Sequence, residues 1–377
     1  MEAIKELIRY IVKGVHNLFI RVKFLLKLPA HKELFSAQSY FTEFSTSRKT
    51  PFLIFFEQVM NVIKYGTPNQ FFFLYGFDIK GFRNKSDYID QYVFVKRRNA
   101  MDKKLMEFPP IPILREKNVF GIIAEAYNMN TPHNIGEIYK GEIYLFKEKK
   151  KVTFTQENMR NFFAEGHKEL FLKRMDGECA VGVYHLCLKG NEILYKNNAI
   201  DIEEFFNRDD RYLIQEAIPN QHPAINAIHP KAINTLRLVT VHNFKTDEIE
   251  VFSCVLRVGR GENSVDNWAA GGLSIGVDTE NGTLRKYGFY KPGFGTKATE
   301  HPDSHVVFEG YKIPFIDKAI EEAKEFHHHL YGIHSIGWDI AITEEGPCFV
   351  EGNDNWEISL MQISNHGLKK EFDRLFY

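Results

Sequence analysis

The sequence predicts an α+β fold in which a mainly helical N-terminal region precedes two α+β subdomains. Three observations carry this. Apolar residues recur at helical spacing over 1–28. From about residue 134 onward, short strand-like and helix-like segments alternate without settling into a repeating βαβ unit. The chain has 377 residues, 44% apolar and 14% aromatic, enough for several subdomains with sizeable cores. The expected divisions are an amphipathic helical segment over 1–50, an aromatic-rich helical region over 51–115, and α+β subdomains over 116–214 and 215–377.

In chain order, Ile4, Ile8, Ile11, Val15, Leu18, Val22 and Leu25 alternate spacings of three and four, and Pro29 ends the pattern. Lys5, Arg9, Lys13, Arg21, Lys23 and Lys27 make this helix basic. Such a helix docks on an anionic membrane surface or a partner helix, or else packs on its own domain or in a homodimer; the pattern leaves these open. Residues 31–115 read as short helices, with Phe71-Phe72-Phe73 and the stretch from Phe52 to Phe56 as aromatic spots, and carry no glycine fingerprint of a dinucleotide fold. Pro109-Pro110-Ile111-Pro112 marks a boundary. Helices are expected over 118–128, 155–165 and 316–330, and strands over 142–146, 169–173, 212–217, 235–241 and 249–257. The last helix places Ile316, Ile320, Ala323, Phe326 and Leu330 on one face, with Gly332 as its C-terminal cap.

Lys+Arg of 48 against Asp+Glu of 49 leaves a net charge of −1, which argues against nucleic acid as a partner. Four cysteines (Cys179, Cys187, Cys254, Cys348) are scattered with no CxxC pair. They imply a reducing cytoplasm with no zinc site and no disulfide framework. No uncharged run reaches membrane-spanning length, and the charged N-terminus does not read as a signal peptide.

The most informative stretch is residues 337–353. Two apolar runs flank Glu344-Glu345-Gly346, which predicts a β-hairpin with a three-residue loop. Centred on Glu345, that hairpin sets Asp339 opposite Glu351, with Asn353 on the face of Glu351. Two carboxylates across a ladder repel each other, and a divalent cation reverses the sign. Two carboxylates and an amide are hard oxygen donors of the kind that hold Mg²⁺ on substrate phosphates. The alternative is a solvated hairpin with incidental acids.

Upstream, an apolar strand ends in Lys173 and runs into a small-residue loop at 177–182, where backbone N–H groups could approach phosphate beside a point charge. Arg237 and Arg257 sit inside apolar strands that are neighbours in the chain. Inward arginines need partners, which suggests a shared anion, unless both face solvent. Val265 to Gly272, containing Asn267 and Gly271-Gly272, is a candidate lid or an ordinary surface loop. His327-His328-His329 cannot share one ion, because consecutive helical residues point in different directions. His222 is of interest for following the Gln215-Glu216-Ala217-Ile218 segment.

In chain order these pieces resemble the ATP-grasp superfamily, and most closely its sugar-transfer-associated family, similar to glutamate ligases, of polysaccharide gene clusters. Asn234-Thr235-Leu236-Arg237, Gly271-Gly272-Leu273, His301-Pro302-Asp303, Gly337-Trp338-Asp339 and Glu351-Gly352-Asn353 carry the resemblance, which covers roughly 110–362. It implies a fold that clamps ATP between two α+β subdomains. Lys117 and Lys173 would contact the phosphates. Gln215, Glu216, Ala217 and Ile218 would form the adenine hinge, with His222 near the ribose. Asp339, Glu351 and Asn353 would hold one or two Mg²⁺ ions, for which Mn²⁺ can substitute. Arg237 and Arg257 would hold the transferred phosphoryl group, with Asn267 and Gly271-Gly272 closing over it. The implied activity is an ADP-forming carboxylate–amine ligase in capsule or exopolysaccharide biosynthesis. Its substrates would be a small-molecule acid and amine, such as an amino acid and a sugar acid or a nucleotide-sugar or glycan-linked precursor. The expected location is cytoplasmic, and the basic amphipathic helix over 1–28 would extend it to the inner membrane face. A sugar kinase and a non-catalytic nucleotide-binding scaffold for membrane glycan enzymes are the alternatives. Two departures stand out: D-Ala–D-Ala ligases carry an arginine two residues before the first metal aspartate, where this chain has Gly337, and the usual nucleotide-like N-terminal domain is replaced by the aromatic 1–115 region.

Overall fold

The computed structural model describes all residues except Met1, 107–108, 165–168, 176–181, 208, 219 and 263–264, with the side chains of 2–13 and 164 also outside the description. By internal contacts the chain forms two units. One comprises Met1–Met101, Pro292–Lys297 and Glu357–Tyr377; the other comprises Asp102–Lys291 and Ala298–Trp356. The segment 357–377, expected from the sequence within the last subdomain, thus groups with the N-terminal region.

The N-terminal unit is helical: α1 (Glu2–Lys27), α2 (Glu33–Ser36), α3 (Pro51–Tyr65) and most of α4 (Gln91–Leu105). Thr50 caps α3 by accepting from Leu53 N–H, Pro51 sits at its first position, and Gly66 closes it at φ +87°. α3 and α4 run 15 residues each, longer than the short helices the sequence suggests. Phe94 of α4 packs on Phe372 and Phe376 at 6.2 and 6.3 Å, and Ile89 N–H donates to Gln362 Oε1 at 2.7 Å.

The second unit begins with α5 (Pro112–Arg115) and α6 (Lys117–Ala126) and holds two sheets. The first sheet uses β1 (Asn134–Tyr139), β2 (Glu142–Leu145), β3 (Lys150–Thr153), β4 (Glu169–Arg174), β5 (Val183–Lys189), β6 (Glu192–Tyr195), β7 (Asn198–Ala199) and β8 (Tyr212–Glu216), in the order β3-β2-β1-β8-β4-β5-β6-β7. Helices α7 (Gln156–Ala164) and α8 (Ile202–Phe205) accompany it, and Phe154, Met159, Phe162, Leu170, Leu186 and Ile214 form its core.

After α9 (Pro223–Asn226) comes the second sheet: β9 (Thr235–Asn243), β10 (Glu248–Val258), β11 (Leu273–Asp278), β12 (Thr283–Tyr290), β13 (Lys297–Ala298), β14 (Ser335–Thr343) and β15 (Gly346–Asn353), ordered β13-β12-β11-β10-β9-β14-β15. Helix α10 (Ile316–His329) packs on it through Phe326, stacked 5.0 Å from Trp338. The helix ends at His329 with Leu330 as cap, so Gly332, at φ +102°, lies beyond the cap position expected of it. The chain closes with α11 (Ile358–Asn365) and α12 (Lys369–Phe376), in the first unit. β9 and β14 are buried along their whole lengths, as central strands covered on both faces must be.

The β14–β15 hairpin differs in detail from the expected one. Thr343 pairs with Gly346, so the loop has two residues, Glu344 and Glu345. That register alone would slide Asp339 past Glu351. A bulge at Val350 absorbs the offset: Ile340 pairs with Phe349, while Asp339 pairs with Glu351 and Gly337 with Asn353. The bulge also changes the facing along β15, so Phe349 enters the core beside Trp338 at 5.6 Å while Glu351, two residues on, is on the opposite face.

Candidate active site

Four adjacent strands deliver the charged residues. β10 carries Arg257, β9 carries Thr235 and Arg237, β14 carries Asp339 and β15 carries Glu351. The register pairs Arg257 with Thr235, Arg237 with Asp339, and Asp339 with Glu351. Arg237 grips Asp339 with both arms, Nε to Oδ1 at 2.5 Å and a terminal nitrogen to Oδ2 at 2.9 Å. Arg257 reaches the same carboxylate at 3.0 Å, donates to Thr235 Oγ1 at 2.8 Å and lies 3.3 Å from Asp266. The shared anion of the two arginines is therefore the protein's own Asp339. Arg257 retains a buried Nε with no hydrogen-bond partner among the described residues. A buried donor left unmade is costly, so this atom marks a place for an incoming acceptor.

Burial alone would raise Asp339, but the Arg237 and Arg257 charges outweigh it and hold the carboxyl down to about 2. Glu351 goes the other way: burial raises it, and the Asp339 carboxylate, within hydrogen-bonding reach, raises it further. The pair thus has different proton affinities within one site. Asn353 Nδ2 donates to Glu351 Oε1 at 3.2 Å and to Gly337 O at 3.3 Å, which leaves its amide oxygen as a ligand atom. Two acids close enough to share a proton, beside an amide oxygen, make a hard donor set that a divalent cation would relieve of repulsion.

Lys173, at the end of β4 in the first sheet, belongs to the same constellation. Burial lowers it, the Glu351 charge opposes that, and the Lys117 charge at the start of α6 lowers it further. Two lysines beside an acid pair form a cationic position suited to phosphate. Arg115, just before Lys117, fixes this corner with a two-pronged pair to Asp354 at 2.9 and 2.7 Å. The small-residue loop expected after Lys173 falls on 176–181, outside the described residues, as does Cys179.

A family model for sugar-transfer associated ATP-grasp proteins matches residues 96–375. The chain belongs to that family. The match takes in both antiparallel sheets and leaves the helical residues before 96 outside it. Among solved structures, it is similar to VanG D-Ala:D-Ser ligase from Enterococcus faecalis at 12% identity and TM-score 0.37, covering 70% of this chain and 61% of that one. It is similar to N5-carboxyaminoimidazole ribonucleotide synthetase from Thermotoga maritima at 11% identity and TM-score 0.36, covering 70% and 49%. An L-amino acid ligase from Bacillus licheniformis matches at 11% and 0.36, covering 71% and 48%. This chain therefore spans less than two-thirds of the length of each. No curated protein matches it in sequence.

The remaining expected positions of this ATP-grasp chain have defined surroundings. Gln215 is buried, and its amide donates to Asn134 Oδ1 at 2.8 Å and Pro132 O at 3.3 Å, so its side chain ties β8 to the chain before β1. The N–H groups of Glu216 and Ala217 bond His133 O and Glu169 O. His222 caps α9, its Nδ1 accepting from Ala224 N–H at 3.1 Å, with its ring edge-on to Phe315. Asn267 caps a short turn by accepting from Ala269 N–H at 2.8 Å. Trp268 is buried, and its Nε1–H donates to Phe289 O at 2.8 Å, so the 265–272 segment is anchored at its middle. Gly272 is small for a packing reason, since a Cβ there would meet the carbonyl oxygens of Asp266 and Val258 at 2.7 Å. Gly337 is likewise enforced, because a Cβ would lie 2.7 Å from the Trp356 Cβ, so no arginine fits where D-Ala–D-Ala ligases have one.

Asp266 is the site residue that sequence reasoning passed over. It accepts from Thr235 N–H at 2.9 Å and from Thr235 Oγ1 at 2.5 Å, and faces Arg257. Its signal was its place in the Val265-Asp266-Asn267 phrase beside a strand arginine. Another group, His229, His301 and Asp303, brings potential ligand atoms within 4.8 Å of one another. His301, however, donates from Nε2 to Gly259 O at 2.9 Å and accepts at Nδ1 from Asp303 and Ser304 N–H, while Asp303 accepts from Gly261 N–H. These bonds make His301-Pro302-Asp303 a clamp on the 259–261 turn that follows Arg257.

Proposed function

We propose that this protein is an ATP-dependent, ADP-forming carboxylate–amine ligase, joining an amino acid to a sugar acid or related glycan precursor. The observation that carries the reading is the Arg257–Arg237–Asp339–Glu351 row with Lys173 and Lys117 beside it, because phosphoryl transfer is served by positioned charge and needs no nucleophilic side chain. Asp339, Glu351 and Asn353 would hold one or two Mg²⁺ ions, which when bound neutralise charge on the transferring phosphoryl group. Lys173 and Lys117 would bind the α- and β-phosphates. The Ile218 backbone N–H, which carries no hydrogen bond among the described residues, is the available hinge donor for adenine. Gln215 acts through the hinge backbone it stiffens, and His222 through the helix it caps near the ribose.

The substrate carboxylate attacks the γ-phosphorus and ADP leaves. The amine then attacks the acyl carbon and phosphate leaves. Arg257 offers its free Nε to the oxygens that gain charge, while Asp266 and Thr235 hold the guanidinium in place. Asn267 and Gly271-Gly272 would close over the transferred group and exclude water that would hydrolyse the acyl phosphate. The family's association with sugar transfer supports a glycan precursor as one substrate and a role in capsule or exopolysaccharide assembly.

The test is ADP release on pairing candidate acids with amines, with hydroxylamine as trap. A ligase gives acid-dependent ADP and a hydroxamate. A sugar kinase gives ADP and a phosphorylated sugar with no hydroxamate, and either that result or the absence of turnover with any pair opposes the reading.

A further inference from the structure

We propose that the exposed apolar faces of α1 and α3 dock this protein on an anionic lipid bilayer. On α1, Val15, Leu18, Phe19, Val22 and Leu26 are 62, 62, 66, 45 and 78% exposed. Their spacing puts them on one face of the helix. The half-buried residues Asn17, Ile20, Arg21 and Leu25 lie on another face, centred roughly 150° away at 100° per residue. Arg21 fastens that second face to α3, its Nε donating to Ile63 O at 3.0 Å. α1 is therefore apolar on the side turned from its own unit as well as on the side that packs. α3 adds a second stripe at helical spacing: Phe52, Phe56, Met60 and Ile63, 79, 53, 48 and 50% exposed.

Contiguous apolar surface of this kind marks an interaction site, and the charges around it select the partner. Between Glu6 and Glu33 there is no acidic residue, while Arg9, Lys13, Arg21, Lys23, Lys27 and Lys32 are basic. Lys23 and Lys27 are exposed at positions that flank the α1 stripe. A second copy is a poor occupant, since joining two such stripes would bring two acid-free basic helices together. Anionic headgroups neutralise these charges while the apolar side chains enter the acyl boundary. No helix among the described residues is long and apolar enough to cross a membrane, so the contact is in the plane of the interface. This inference is independent of the ligase reading.

The experiment is flotation of the full chain with phosphatidylcholine vesicles and with vesicles also containing phosphatidylglycerol. The wild type should float with the mixed vesicles alone and be released by salt. Leu18→Asp/Leu26→Asp and, separately, Lys23→Glu/Lys27→Glu should each cut binding by at least about tenfold with an unchanged melting temperature, since all four side chains are exposed. Phe52→Asp/Phe56→Asp tests the α3 stripe in the same way. The inference is overturned if the wild type floats with neither vesicle or if the variants bind like wild type. It is equally overturned if the chain is a dimer that Leu18→Asp/Leu26→Asp separates and no vesicle is bound.

Discussion

Replacing Arg237 by methionine keeps most of the side-chain volume and removes the two-armed contact with Asp339. Breaking a buried ion pair from one side costs about 3–5 kcal/mol, because the remaining charge is stranded. Here Asp339 keeps Arg257 at 3.0 Å, so the lower end applies, about 3 kcal/mol. For a chain of 377 residues that corresponds to roughly 4 °C of melting temperature. The same change should make Mg²⁺ more stabilising, since the Asp339–Glu351 pair has lost one of its counter-cations. Differential scanning fluorimetry on wild type and Arg237→Met, with and without Mg²⁺, reads both effects. Melting within about 1 °C of wild type, or a smaller Mg²⁺ shift than wild type, would refute the reasoning.

Two further outcomes rest on single features. Gly337→Ala sets a Cβ 2.7 Å from the Trp356 Cβ, in a spot with no flexible end to yield, and should cost about 1–3 kcal/mol in urea unfolding; wild-type stability would mean Trp356 is free to move. The pH dependence should report Glu351, whose folded pKa lies above its ordinary 4.5. Its contribution to stability is fully present below that value and is lost as pH rises through the raised one. Asp339, held at about 2, loses its contribution only as pH falls through that range. Melting curves of Glu351→Gln and wild type without metal should therefore diverge as pH rises from 4.5, the variant becoming relatively more stable; parallel curves would contradict the shift.

Much of the second sheet was legible because its strands are long apolar runs. β9, β10 and β14 read directly, and the β14–β15 hairpin announced itself by acids set in an otherwise apolar ladder. The bulge at Val350 was not legible. A three-residue loop without a bulge and a two-residue loop with one give the same Asp339–Glu351 pair, and only the register separates them. β11 and β12 drew no strand reading, and Gly271-Gly272, just before β11, read as lid or loop, whereas Gly272 is small for close backbone packing. α4 gave little helical signal, since Phe94 and Met101 lie among charges and Phe94 finds its partners, Phe372 and Phe376, far along the chain. The arginines were recognised as needing an anion, but that Asp339 is the anion follows from the pairing of β9 with β14, which no local pattern encodes.

The most direct test of the account is nucleotide binding by wild type and Glu351→Gln, measured as thermal shift with a non-hydrolysable ATP analogue and Mg²⁺. At about 100 times its Kd, a ligand that binds only the folded state adds roughly 2.7 kcal/mol. The account predicts a Mg²⁺-dependent shift of that order for wild type and its loss in Glu351→Gln, whose metal-free melting temperature is not lowered. A variant that responds like wild type, or a wild type that does not respond, would contradict the assignment of Asp339, Glu351 and Asn353 as the metal site.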